Sequence, residues 1–227
     1  MWDLVEDKFY RNQGTGTFTV GSEIYNYDEV EKIVIPGNSE YPKGLELCDY
    51  LQGDGAAYID SGYSLNRNCS IDITLQLTEK VNQTRFVGLQ KSGCYLLMYA
   101  GDSGNNIKTY TKIASGGTYS TLIAHNTKIN TYYINNSSHK SLVNETSKVT
   151  HTDIPATDDY YGNCYLFWAN RAAAGTQTTA RIYSCRIYDN EVLVRDFIPC
   201  IYNNEPGMWD KVNRIFYGNS GSGNFIA

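Results

Sequence analysis

The chain holds two short stretches rich in tyrosine, acid and amide. The first is Asp158, Asp159, Tyr160, Tyr161 and Asn163, followed by Trp168, Asn170 and Arg171. The second is Tyr95, Tyr99 and Asp102, leading to Asn105, Asn106 and Tyr110. Rings beside carboxylates, amides and guanidinium groups are what a sugar site needs. The ring takes the apolar face of the sugar, and the polar groups fix its hydroxyls. Such sites sit on loops or on an open sheet face. The competing use of each tyrosine is as a core or edge residue of a β-protein, and of Trp168 as internal packing.

Bond-breaking chemistry has less behind it. Glycoside hydrolysis needs two carboxyl groups about 5–9.5 Å apart. On a sheet that means positions i and i+2 or a cross-strand pair. Asp158 and Asp159 are adjacent and would point apart in a strand, and no E-x-D-x-x-E arrangement occurs. Asp28, Glu29 and Glu31 fall in an acidic linker. His125, His139 and His151 are scattered, and no G-x-S-x-G elbow exists. The expectation is a protein without catalytic activity. Calcium stays open: Asp54, Asp102, Asp153, Asp158 and Asp159 are loop carboxylates that could ligate it, but none has EF-hand-like spacing.

The composition describes the elements that must carry these groups. In 227 residues there are 20 Tyr, 20 Gly and 5 Pro, with 41% hydrophobic residues. Tyr, Thr, Ile and Val suit pleated, half-buried surfaces, and Gly, Asn and Asp suit turns. The chain reads as all-β. A net charge of −5 without a basic run longer than two residues argues against nucleic acid as partner. No apolar stretch approaches the roughly 20 residues that span a bilayer as a helix, and the opening residues do not read as a signal peptide. The six cysteines form no CxxC or Cys/His cluster, so zinc is not expected and free thiols are favoured.

The two ends of the chain repeat each other. Residues 1–20 and 208–227, laid together without a gap, match at 10 of 20 positions. The pairs are Met1/Met208, Trp2/Trp209, Asp3/Asp210, Val5/Val212, Phe9/Phe216, Tyr10/Tyr217, Asn12/Asn219, Gly14/Gly221, Gly16/Gly223 and Phe18/Phe225. Chance gives about one match. Tandem globular domains would explain this: residues 1–20 would be the closing hairpin of a preceding repeat, 21–40 a linker and 41–227 the main domain. A self-contained protein that uses one hairpin twice is the other reading. Trp209 is expected over the closing hairpin, with Gly221 and Gly223 supplying turn geometry.

Strand signals recur along the main domain. Ser70–Leu77 alternates, with Ile71, Ile73, Leu75 and Leu77 on one face. Further runs fall at Arg85–Leu89, Cys94–Ala100, Ile107–Ile113, Tyr119–His125, Thr127–Ile134, His139–Val143, Cys164–Trp168 and Thr179–Tyr188. Asp189-Asn190 reads as a hairpin turn into Val192–Val194. In 181–188 neither face is purely apolar, so alternation alone does not choose the core side. Arg195–Pro199 reads as a strand exit, with Arg195 and Asp196 as a candidate ion pair. Ile33–Ile35 is a possible short strand, and 158–161 a possible helical turn.

The run Arg181–Asn190, Val192–Pro199, Gly207–Asp210, Phe216-Tyr217 and Gly221–Phe225 resembles one family. So do the opening residues Tyr50–Gln52, Gly55 and Tyr58–Gly62, and the run Leu166–Asn170. The pattern is similar to the concanavalin A-like (laminin G-like) jelly-roll domains of phage tail proteins and of gut-bacterial surface proteins, over roughly residues 41–227. The resemblance implies a two-sheet antiparallel jelly-roll sandwich. It implies a non-catalytic module, often assigned to glycan recognition, on a virion or at the cell surface. Because some members of that family are architectural, a spacer or assembly domain in a tandem-repeat fibre, pairing with neighbouring repeats or with copies of itself, is the alternative.

Overall fold

Three two-residue turns show how local sequence sets this fold. Asn144-Glu145, Asn190-Glu191 and Asn203-Asn204 each place both residues at positive φ, between 47° and 66°. This is the type I′ geometry, whose twist matches that of paired strands, and asparagine tolerates it without glycine. The turns close the hairpins β14 (Lys140–Val143) with β15 (Thr146–Thr150), β18 (Arg181–Asp189) with β19 (Val192–Tyr202), and β19 with β20 (Glu205–Asp210).

The computed structural model divides into two compact units, Met1–Pro42 and Lys43–Ala227. It describes residues 41–79, 84–91, 94–101, 106–113, 116–135, 140–150, 162–171 and 178–227, with four strands of the first unit. Those four form two antiparallel pairs: β1 (Trp2–Asp3) with β2 (Lys8–Phe9), and β3 (Thr17–Val20) with β4 (Glu23–Asn26). The expected strand at Ile33–Ile35 and turn at 158–161 lie outside the described residues.

The second unit is an all-β sandwich of two antiparallel sheets. One sheet runs β12 (Gly116–Ala124), β11 (Asn106–Ile113), β10 (Cys94–Ala100), β9 (Arg85–Lys91), β16 (Asn163–Leu166) and β7 (Ile59–Ser64). A short parallel pairing adds β17 (Asn170–Arg171) to β9. The other runs β15, β14, β13 (Ile129–Asn135), β8 (Cys69–Gln76), β18, β19, β20 and β21 (Ile215–Tyr217). At its margin β5 (Leu45–Leu47) pairs with β19, and β6 (Leu51–Gly53) pairs with β18 and with β22 (Phe225–Ile226). Among the described residues no helix is long and apolar enough to cross a membrane.

The core lies between the sheets. Val87, Leu89, Leu96, Met98 and Leu166 meet Ile71, Ile73, Leu75, Ile134 and Phe197 there, all buried. Ile71, Ile73, Leu75 and Leu77 share the core face as the alternation required. The ambiguity in 181–188 has a physical cause. A β-bulge shifts the register against β8 between Ile182 and Ser184, so Ile182 on one side of the bulge and Cys185 and Ile187 on the other all turn inward. No strict period-2 pattern could show that.

Two readings of the C-terminal region need correction. Arg195–Pro199 is not a strand exit, because β19 continues to Tyr202 and turns only at Asn203-Asn204. Arg195 and Asp196 are neighbours on one strand and so face opposite ways. Arg195 pairs with Asp210 at 3.5 Å, and Asp196 pairs with Arg186 at 3.2 Å. Gly221 and Gly223 do not serve turn geometry through left-handed φ; they are required for close approach. A Cβ on Gly221 would collide with Ala56 O, and one on Gly223 would collide with Asp54 Oδ1. Cys48, Cys69, Cys164, Cys185 and Cys200 are free thiols.

Candidate functional site

On the seven-stranded sheet, the strand face turned away from the core collects aromatic and polar groups. On β16 the sequence Asn163-Cys164-Tyr165-Leu166 alternates, with Cys164 and Leu166 buried and Asn163 and Tyr165 half-buried on the outer side. Tyr165 sits opposite Asp60 of β7 and opposite Gly88 of β9. The strand signal at Cys164–Trp168 ends early because Phe167 adopts φ +67°. That left-handed backbone is held by burial of Phe167 against Phe225, with ring centroids 4.8 Å apart. Leu166 and Phe167 therefore both turn inward, and Trp168 emerges beside Tyr165.

Three half-buried rings result. Tyr58 and Tyr165 stack with centroids 4.7 Å apart and planes 22° apart, Trp168 lies 5.4 Å from Tyr58, and Tyr165 and Trp168 are 6.2 Å apart. The phenol of Tyr165 titrates above its usual range, through burial first and then through the Asp60 carboxylate and the Tyr58 phenol beside it. It stays neutral across the physiological range, able to donate or accept a hydrogen bond. Among the described residues the Trp168 Nε1–H is buried without a hydrogen-bond partner, a group that ordinarily has one.

β9 links the two stretches singled out in the sequence. On one side it carries β17, with Arg171 in register with Gln90; on the other it pairs with β10. The Arg85 Nε donates to Gln90 Oε1 at 2.8 Å. Leu97 lies opposite both Gly88 and Tyr110 and is only 2% exposed. The seven strands contain five basic residues, Arg85, Lys91, Lys108, Lys112 and Arg171, against one acidic residue, Asp60.

Of the expected site residues, Asn163, Trp168, Asn170 and Arg171 come together here. The Asn170 amide donates to Asn163 O at 3.0 Å, which ties β17 to β16. Tyr99 shares the outer face but lies farther along, opposite Arg85 and Lys108. Asp158, Asp159, Tyr160, Tyr161 and Asp102 lie outside the described residues. Tyr58, Asp60 and Tyr165 were missed. The two-residue spacings Tyr58/Asp60 and Asn163/Tyr165 put each pair on one face, but only cross-strand pairing shows that the faces are the same.

Asp54, a candidate calcium ligand, is otherwise engaged. Its Oδ1 accepts from the N–H groups of Ala56 and Ala57, and its Oδ2 accepts from that of Asn224. Burial is the largest single influence and raises its pKa, but the backbone bonds together outweigh it and hold the carboxyl below its usual range. Among the described residues no three His, Cys, Asp or Glu side chains cluster as metal ligands would. Asp102, Asp153, Asp158 and Asp159 lie outside them.

No family model matches the sequence, and no curated protein matches it. Among solved structures, the chain is similar to a protein from Bacteroides ovatus put forward as carbohydrate-binding. The TM-score is 0.52 at 10% identity, over 92% of this chain and 70% of that one. At that identity the likeness speaks to the all-β sandwich fold.

Proposed function

We propose that the sandwich is a non-catalytic carbohydrate-recognition module of the concanavalin A-like kind, carried on a phage tail or bacterial surface protein. The observation that carries this is the Tyr58–Tyr165–Trp168 cluster beside Asp60, Asn163 and Arg171 on the outer sheet face. The rings offer rigid apolar area, and the flanking amide, carboxylate and guanidinium offer directional bonds. The likeness to the Bacteroides ovatus protein agrees with this reading. Against hydrolysis, Asp60 is the sole acid within the described strands of this sheet, and a glycosidase uses two. The excess of basic residues in those strands favours glycans bearing carboxylate or sulfate groups over neutral ones.

A glycan array probed with the full chain, with calcium and with chelator, tests the proposal. Saturable binding to a defined set, enriched in acidic sugars and lost in Tyr165→Ala, is the expected result. A blank array with folded protein would refute it.

A further inference from the structure

The repeated hairpin carries a pattern that the second unit explains. Of the ten identities between residues 1–20 and 208–227, nine fall on residues that join the closing hairpin to the rest of the sandwich. Met208 and Phe225 enter the core, and Trp209 is 5% exposed opposite Ile198. Asp210 is fully buried and accepts from Asp196 N, Val212 N and Asn213 Nδ2. Phe216 lies over Gly207, leaving no room for a Cβ there, and Tyr217 packs edge-on against Phe197 with centroids 5.2 Å apart. Asn219 accepts from Tyr58 N and donates to Gly223 O. Gly221 and Gly223 press on the backbone of residues 56–57.

The ten positions that differ show the converse. Lys211, Asn213, Arg214, Ile215, Ser220, Ser222, Asn224, Ile226 and Ala227 are exposed, and Gly218 is half-buried. The backbone agrees independently: Trp2 pairs with Phe9 and Asp3 with Lys8, as Trp209 pairs with Phe216 and Asp210 with Ile215, at the same offset. A hairpin that stands alone in water has no need for a buried acid or for glycines that admit a neighbouring backbone. In sequence, residues 1–20 keep the residue types found at the contact positions of 208–227 and vary those found at its solvent positions. Within this chain the slot they match, made by residues 53–58 and β19, already holds residues 208–227.

We infer that residues 1–20 are a docking hairpin for the equivalent slot on another copy of this sandwich, entered when that copy's own closing hairpin leaves it, so that copies join head to tail. This goes beyond sugar recognition and does not depend on it. The first test is the full chain with residues 208–227 rewritten as the sequence of 1–20. It is expected to keep a single cooperative thermal transition within about 5 °C of the parent, and loss of that transition would overturn the inference. The second is Gly221→Val with Gly223→Val in the full chain, which forces the resident hairpin out of the slot. Light scattering is expected to show a dimer or larger species that adding Gly14→Val and Gly16→Val abolishes. A monomer, or an assembly indifferent to Gly14 and Gly16, would overturn it.

Discussion

The Arg195 guanidinium lies 3.5 Å from the carboxylate of Asp210, whose side chain is fully buried while that of Arg195 is 15% exposed. Asp210 also accepts two backbone N–H groups and one amide, and Arg195 donates to Ser61 O and Val194 O and covers the Tyr63 ring. One buried charge thus ties β7, β19, β20 and the turn at 211–214 together. Asp210→Ala leaves a mostly buried guanidinium without its counter-charge and several donors unpaired. The expected loss is about 3–5 kcal/mol in chemical denaturation. Arg186→Ala, which breaks the pair with Asp196 where the arginine side chain is 49% exposed, should cost under about 1 kcal/mol.

Gly88 is the second backbone constraint near the rings. It sits at φ +121°, and a Cβ there would run into Leu96 O and lie 2.8 Å from Leu97 Cα. Gly88→Ala therefore strains a conformation that L residues rarely adopt and pushes β10 from β9. A loss of at least about 2 kcal/mol is expected in thermal or urea unfolding. A melt equal to the parent's would mean that β9 relaxes freely at this point.

The sequence made the strands legible wherever alternation was unbroken, as in Ile71 to Leu77. It failed where the chain departs from period 2. The bulge at Tyr183 shifts the inward face, Phe167 reverses the path before Trp168, and Pro199 lies within β19 rather than at its end. Each departure is enforced by tertiary contacts that adjacent residues do not encode. The site was half legible for the same reason. Trp168, Asn170 and Arg171 are close in sequence, whereas Tyr58 reaches Tyr165 only because β7 pairs with β16.

Recognition through the stacked rings separates affinity from folding. Tyr165 and Trp168 are half-buried on the outer face, outside the core cluster. Tyr165→Ala and Trp168→Ala are each expected to weaken sugar binding tenfold or more, an effect of about 1.4 kcal/mol or above. The melting temperature should move by only a few degrees. Calorimetric titration with an array-positive glycan checks this, and Tyr99→Ala, farther along the sheet, serves as the contrasting variant with a smaller loss.

Stability should fall in mild alkali. Burial raises the thiols of Cys69, to about 11, and of Cys200, to about 12, pushes that of Cys164 higher still, and lifts that of Cys185 well above the 9.0 of a free thiol. Below about pH 9 the thiols are protonated in both folded and unfolded chains, and their contribution is fully present. As pH rises past 9 the unfolded chain ionises while the folded one does not, which favours unfolding, and the loss levels off only once the folded thiols ionise. The midpoint of reversible unfolding is therefore expected to drop between pH 8.5 and pH 10.5. Cys69→Ala removes one titrating group, so its midpoint should decline less steeply over the same interval. A flat midpoint in the parent, or an unchanged slope in the variant, would show that the buried thiols do not govern the alkaline limit.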